Sequence, residues 1–358
     1  MIDDVALMDR ALFLAERGRG RTSPNPIVGA VVVSADGIVV GQGAHLWAGG
    51  PHAEIVALDV AGSRAKGATL YCTLEPCAHT GRTGPCVERI VSAGVSRVVA
   101  AVEDPNPRVA GRGFDFLRSH GVQVLPGVGR ERARVLNAAF FTWVTRRQPF
   151  VILKVAVSAD GFVGRTDGPV KLTGVVADRY FHRQRAEVDA IAVGSGTVLI
   201  DDPALTPRGA YRERPLTRVI FDRRGRIPEN SRVFSTLSAG PVIMIVSEAA
   251  VRSNPARVEL LERRGVTFEQ WGDQPLQFVL TQLGARDVLS LLVEGGPTLQ
   301  QSFADSGLVD RVQWVETPKK LTTGVRPFVR QRLKASGSPG PIALGDDVLT
   351  EFDVHGID

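Results

Sequence analysis

Two stretches decide how this chain is read: PHAEIVALDVA at residues 51–61 and EPCAHTGRTGPC at 75–86, with ATLYCT at 68–73 between them. They hold all three cysteines of the chain, Cys72, Cys77 and Cys86. Zinc favours thiolate and imidazole donors, and a zinc that does chemistry keeps three protein ligands and one open position. His52, Cys77 and Cys86 are the expected ligands. Glu54, two residues beyond the histidine, is then the proton carrier rather than a ligand.

Local structure explains why these residues should converge. Residues 52–61 carry apolar side chains at 55, 56, 58 and 60, which predicts a helix entered at Pro51. A second helix is expected from Pro85 to a stop at Gly94. His52 and Cys86 would sit in first turns, where the helix dipole favours anionic ligands and lowers a thiol pKa. The apolar run 68–73 reads as a strand that delivers Cys77 to the same place. Cys72, within that strand, reads as a small buried hydrophobe. A four-ligand structural zinc, with His79 or Cys72 as the fourth, is the competing reading; it leaves Glu54 without a purpose. The zinc deaminases use the order His-x-Glu, Pro-Cys, Cys. Their common spacing is Cys-x-x-Cys, whereas eight residues separate Cys77 from Cys86 here.

Working outward, 358 residues suggest about two domains. With 44% hydrophobic and 23% charged residues, the composition is that of an ordinary globular protein. The opening MIDDVALMDR lacks the basic-then-apolar pattern of a signal peptide, and no apolar run approaches a membrane span. Three cysteines in one motif argue for metal use in a reducing compartment, so the cytoplasm is the expected location and no membrane partner is expected. A net charge of +5 raises nucleic acid as a partner. Scattered arginines and 6% aromatic content argue against that, because a single-strand groove wants aromatic platforms.

The loop PCAHTGRTGPC, together with TSPNPIVGAVV at 22–32 and DPNP at 104–107, closely resembles the bifunctional deaminase–reductases of riboflavin biosynthesis. The resemblance runs the length of the chain. It implies an α/β protein with a cytidine-deaminase-like three-layer domain over residues 1–148 and a dihydrofolate-reductase-like domain over 149–358. It implies Zn2+ and NADPH as cofactors and a small phosphorylated pyrimidine as substrate; a homo-oligomer is the expected assembly. Asn25, otherwise a turn asparagine, and His45 are implied to lie by the pyrimidine. His79 and Arg82 equip the long loop, the arginine being suited to a phosphate through its bidentate donors.

The second half carries the remaining motifs. Lys154 lies in an apolar strand at 150–157, an odd place for a charge without a site or a paired acid. Strand, glycine pair and helix start follow one another at LLVEGGPTL (291–299), a phosphate-binding turn. No G-x-G-x-x-G follows a strand, so a Rossmann domain is not expected. The order LKVAVSADG, VGSGTVLIDDPALTPR, LLVEGGPTL resembles the family's reductase half. Carried over by position, Val157, Thr197, Asp201, Gly296, Pro297, Thr298, Leu299, Gln300, Gln301 and Ser302 would hold the nucleotide. Arg185, Leu205, Arg208 and Glu294 would hold the ribose phosphate, and Arg223 or Arg224 could meet a 2′-phosphate. One segment departs from the family's Ser-x-Trp-Ile-Thr run, reading Pro169-Val170-Lys171-Leu172-Thr173. Lys171 then stands where an aromatic wall is expected, and its charge could meet a phosphate.

The reading is a single polypeptide for two steps: zinc-dependent deamination of a diamino-pyrimidinone ribosyl phosphate, then NADPH reduction of the ribosyl chain to ribityl. Lys154 and Glu54 are the expected catalytic groups. The alternatives are a deaminase whose second domain has become a binding or assembly module, a deaminase of nucleosides or nucleic acid, and a zinc-stabilised scaffold.

Overall fold

Strand β1 (Gly29–Val33) is buried at every position, so both of its faces are covered, and the first half of the chain is built around it. In the computed structural model, residues 3–78, 84–106, 109–327 and 340–354 are described. The chain divides into two compact units, Met1–Arg147 and Gln148–Asp358.

In the first unit β1 is joined by β2 (Val39–Ala44), β3 (Thr69–Cys72), β4 (Arg97–Ala100) and β5 (Gln123–Pro126), in the order β2-β1-β3-β4-β5. β1 runs antiparallel to both β2 and β3, whereas β3, β4 and β5 are parallel. The opening helix, Asp4–Ala15, is capped by Asp3, whose carboxylate accepts from Val5 N at 2.9 Å and Ala6 N at 3.2 Å. Asp4 ties it to the sheet, accepting from Tyr71 Oη at 2.7 Å and from both Nη atoms of Arg97.

The helix Ala53–Ala61 buries Ala53, Glu54, Ala57, Leu58 and Ala61, three alanines with two larger side chains between them. Small residues allow close approach. A Cβ built on Gly43 of β2 would lie 2.5 Å from the Ala53 carbonyl oxygen, so glycine is what lets helix backbone rest on strand backbone.

The run RERARVLNAAFFTWVTR, which by sequence alone reads as a single helix over 130–146, forms two, Arg130–Leu136 and Ala138–Arg146. The break is at Asn137, which is buried. Its amide accepts from Ile27 N at 2.7 Å and donates to Ile27 O at 2.8 Å, acting as a strand partner for a loop. A tertiary hydrogen-bond pair has overridden helical periodicity.

The second unit holds a nine-stranded sheet in the order β10-β9-β8-β7-β11-β6-β12-β14-β13. Its strands are β6 (Phe150–Ser158), β7 (Ala190–Gly194), β8 (Thr217–Phe221), β9 (Val242–Val246), β10 (Val266–Gln270), β11 (Ser290–Val293), β12 (Arg311–Thr317), β13 (Ile342–Leu344) and β14 (Asp347–Asp353). From β10 through β12 every pairing is parallel; β14 and β13 close the sheet antiparallel. The buried apolar run AIAVG, residues 190–194, becomes β7, as its unbroken hydrophobicity predicts for a strand covered on both faces. Among the described residues no helix is long and apolar enough to cross a membrane.

Candidate functional site

Topology gathers the first unit's polar residues at one end of its sheet. β3 and β4 are parallel with Cys72 opposite Ala100, so the segments leaving them emerge side by side. β1 runs the other way, which brings its entry, with Asn25, to that end; Ala44 pairs with Gly29, which adds His45. His52 is the N-cap of the helix that follows, in extended conformation.

His52, Cys77 and Cys86 meet there, their ligand atoms all within 4.8 Å of one another. His52 Nδ1 is 3.1 Å from Cys86 Sγ and 3.5 Å from Cys77 Sγ, and Cys86 N donates to Cys77 Sγ at 3.3 Å. The hydrogen bond from Cys86 holds the Cys77 thiol down to about 4, while that same contact and burial push Cys86 far up. The Cys77 sulfur in turn raises His52. Three soft donors sharing protons this way, one imidazole nitrogen and two sulfurs, fit a zinc ion that would displace those protons. A fourth direction opens into a cavity of 340 Å3, which Asn25, His45, Glu54, Asp104, Asn106 and Trp143 help line.

Glu54 is 4% exposed, and burial pushes it up to about 7. It stands one helical step from His52 and faces the same cavity. His45 is buried; its Nδ1 lies 3.0 Å from the Pro51 carbonyl, which only accepts, so Nδ1 carries the proton. Nε2 is then an acceptor for Asn25 Nδ2 at 3.0 Å, and the Asn25 amide oxygen is left to accept from a ring amino or N–H group. His79 and Arg82 lie outside the described residues.

Glu75 stands where the chain leaves β3, two residues before Cys77. It is buried and collects four backbone N–H groups from residues 104–114. Its one sequence signal was its position beside Pro76 and Cys77.

The second unit opens a cleft of 670 Å3 at the C-terminal ends of β6, β7, β8 and β11, the edge where parallel sheets bind ligands. Register sets its floor. Val293 pairs with Leu153, so Glu294 emerges beside Lys154. The Lys154 ammonium is 4.0 Å from Glu294 and 4.7 Å above the Phe181 ring. Arg185 takes both oxygens of Glu294, at 2.6 and 2.7 Å. Burial alone would raise Glu294; the Arg185 guanidinium holds it down to about 2. Lys154 is lowered by burial, with Glu294 opposing. Because Arg185 already neutralises Glu294, the Lys154 proton faces the cleft without a full partner.

Thr197, Asp201, Arg223, Gly296, Pro297, Thr298, Leu299, Gln300 and Ser302 line this cleft with Lys154 and Glu294. Gly296 caps the helix Pro297–Ser306, and its N–H is held by Thr197 Oγ1 at 3.1 Å. Gln300 donates to the Lys154 carbonyl at 3.2 Å. The positive end of that helix and the arginines at 223, 224 and 226 suit a nucleotide's phosphates. The sequence reading missed Arg226, Phe221 and Trp271 on the wall; Arg223 lies 5.5 Å over the Trp271 ring. Neither Arg226 nor Trp271 belongs to a recognisable motif.

The remaining expected residues are off the lining. Val157 is in the hydrophobic core, Gln301 bonds Asp305 at 2.7 Å, and Leu205 is buried at a φ of +55°. Arg208 lies against His182, its Nε 3.3 Å from the ring. Lys171 is exposed and paired with Asp178.

Comparison with known proteins adds the following. Residues 1–102 match the cytidine and deoxycytidylate deaminase zinc-binding region, and residues 149–336 match the RibD C-terminal domain. The riboflavin biosynthesis protein RibD of Aquifex aeolicus is 41% identical over 323 residues, covering 90% of this chain and 89% of the relative. That of Escherichia coli is 39% identical over 338 residues, covering 91% and 90%. The structure of Acinetobacter baumannii RibD superposes with a TM-score of 0.87 at 35% identity, over 98% of this chain and 99% of the other. A diaminohydroxyphosphoribosylaminopyrimidine deaminase/5-amino-6-(5-phosphoribosylamino)uracil reductase from Thermotoga maritima superposes with 0.86 at 34%, over the same shares.

Proposed function

The chain belongs to the RibD family of bifunctional riboflavin-biosynthesis deaminase–reductases, and we propose on that premise how its own residues carry the two steps. The substrate of the first is 2,5-diamino-6-(5-phosphoribosylamino)pyrimidin-4-one, and the second reduces the ribosyl chain of the resulting uracil. The observation that carries this reading is that His52, Cys77 and Cys86 bring their ligand atoms within 4.8 Å of one another beside a cavity that a buried Glu54 also lines.

His52 Nδ1 and the sulfurs of Cys77 and Cys86 would hold the zinc. When bound, the ion supplies a water acidic enough to attack near neutral pH. Glu54, buried and lining the same cavity, is the group placed to take a proton as the amino-bearing ring carbon is attacked and to return it to the departing ammonia. Asn25, oriented by His45, accepts from the pyrimidine. Asp104 and Asn106 face the substrate from the opposite segment; His79 and Arg82 are assigned to the substrate by the family resemblance alone, the arginine to its phosphate.

In the second unit Gly296 and the start of the helix Pro297–Ser306, with Thr197 and Asp201, hold the nucleotide. Arg223 meets the 2′-phosphate and selects NADPH over NADH. NADPH supplies the hydride for the ribosyl C1. Lys154 donates a proton to the ring oxygen as the C1–O bond breaks, which balances the hydride and leaves an open ribityl chain. Glu294 only partly opposes the burial that favours release of the Lys154 proton, because Arg185 grips Glu294. Arg208 and the Leu205 loop receive the ribose phosphate, with Val157 and Gln301 supporting the cofactor from behind. Lys171 contributes a charge at the cleft's margin only when it leaves Asp178.

The test is product analysis of the purified protein given the pyrimidine, with and without NADPH. Ammonia release alone, then NADPH consumption when it is added, is the expected result. Deamination that never consumes NADPH would leave the second unit as a binding or assembly module. Cys77→Ser or Cys86→Ser should lower zinc from about one per chain toward none. The protein is further proposed to act in the cytoplasm as a homo-oligomer, which sedimentation of the purified chain would check.

A further inference from the structure

Glu75 is a buried carboxylate used by neither the metal nor the proton transfer. It is 3% exposed. Its Oε2 accepts the backbone N–H groups of Asp104 and Gly111, each at 3.1 Å. Its Oε1 accepts those of Gly113 at 2.8 Å and Phe114 at 3.3 Å. All four donors belong to the segment that carries Asp104, Asn106 and Val109 along the cavity wall and then enters the helix Arg112–Ser119. The acceptor stands two residues before Cys77, and its own N–H donates to the Val102 carbonyl at 2.9 Å. One side chain therefore joins the metal-ligand loop to the opposite wall of the pocket.

The joint has no slack. A Cβ on Gly113 would lie 2.1 Å from the Pro76 carbonyl oxygen. Asp104 passes the constraint on, its Oδ1 accepting the Asn106 N–H at 2.8 Å. A carboxylate suits this position because it accepts on two oxygens and donates nothing. Glutamine has the same shape but turns an NH2 toward N–H donors, so the segment must shift to relieve the conflict.

We propose that Glu75 is a positioning residue of the deaminase: it sets Asp104 and Asn106 at the distance from the zinc ligands that the bound pyrimidine nucleotide requires. The inference rests on the deaminase reading above. A misplacement of about 1 Å costs up to roughly a hundred-fold in such sites.

The experiment compares full-length parent, Glu75→Gln, Asn106→Ala and the double variant in steady-state deamination of the pyrimidine substrate. Zinc content and oxidation of NADPH on supplied deaminated pyrimidine serve as internal controls. Glu75→Gln should keep its zinc and its NADPH oxidation while KM for deamination rises about tenfold or more. Asn106→Ala should also raise KM, and the penalties should be less than additive in the double variant, since Glu75 acts in part through Asn106. Additive penalties would overturn the inference, as would a KM within about twofold of the parent. Loss of zinc or of NADPH oxidation in Glu75→Gln would assign the residue to the fold instead and overturn it equally. A parent that releases no ammonia would sink the deaminase reading itself, a result distinct from all of these.

Discussion

Glu54 and Glu294 show how burial produces opposite results at single residues. Both are buried carboxylates. Glu54 has no cation to offset its desolvation except the ligand histidine, and it rises to about 7. Glu294 is gripped by Arg185 and falls to about 2. Glu54→Gln should keep zinc and lose ammonia release by on the order of a hundred-fold or more, with NADPH oxidation unchanged. Near-parent ammonia release would move the proton-carrier role elsewhere. For Glu294 the consequence is stability. Arg185→Met leaves a buried charge without its partner and should cost about 3–5 kcal/mol near neutral pH, read by denaturant unfolding. The sign follows from the depressed pKa. The pair's contribution is full above the ordinary carboxylate value of 4.5 and is lost as pH falls toward about 2. The gap between parent and Arg185→Met should therefore shrink over that window. A gap that stays constant from neutrality down to the acid limit would mean the pair is not what holds Glu294 down.

At the scale of elements, the site depends on how closely a helix lies on a strand. The helix Ala53–Ala61 carries His52 at its cap and Glu54 in its first turn, and it rests on β2 through Gly41 and Gly43. A methyl group on Gly43 has no flexible neighbour to displace, because the Ala53 carbonyl is itself backbone. Gly43→Ala should push the helix outward, cost about 1–3 kcal/mol and loosen the metal, measured as zinc retained after gel filtration. Retained zinc with unchanged deamination would show that the helix tolerates the shift. The sequence marked this helix and its strand by apolar spacing. It did not mark the contact, since two glycines in a strand read equally well as a bulge or a weak strand. Asn137 makes the same point: its pairing with Ile27 broke a helix that periodicity had drawn as continuous.

For the whole molecule, each unit has its own buried core, and each candidate site is built from one unit alone. Chelation should therefore abolish deamination and leave NADPH oxidation on supplied deaminated substrate intact. Residues 149–358 expressed alone should bind NADPH and oxidise it only with that substrate present. Lys154→Ala in the same chain should stop the oxidation while the fold, followed by circular dichroism, survives. Oxidation that persists without Lys154 would transfer the proton-donor role to another group.

The sequence by itself determined the metal ligands and their proton carrier as candidates, because their residue types and spacing admit few other chemistries. It also determined the alternating strands and helices, because apolar periodicity is a local property of the chain. Tertiary structure alone decided which distant groups meet. Arg185 reaches Glu294 from a helix more than a hundred positions away, and Glu75 gathers N–H groups from a segment it does not adjoin. It also paired Lys171 with Asp178 and lined the cleft with Arg226 and Trp271, which no motif announces. Such pairings follow from sheet register and strand order, which are set by long-range burial rather than by neighbouring residues.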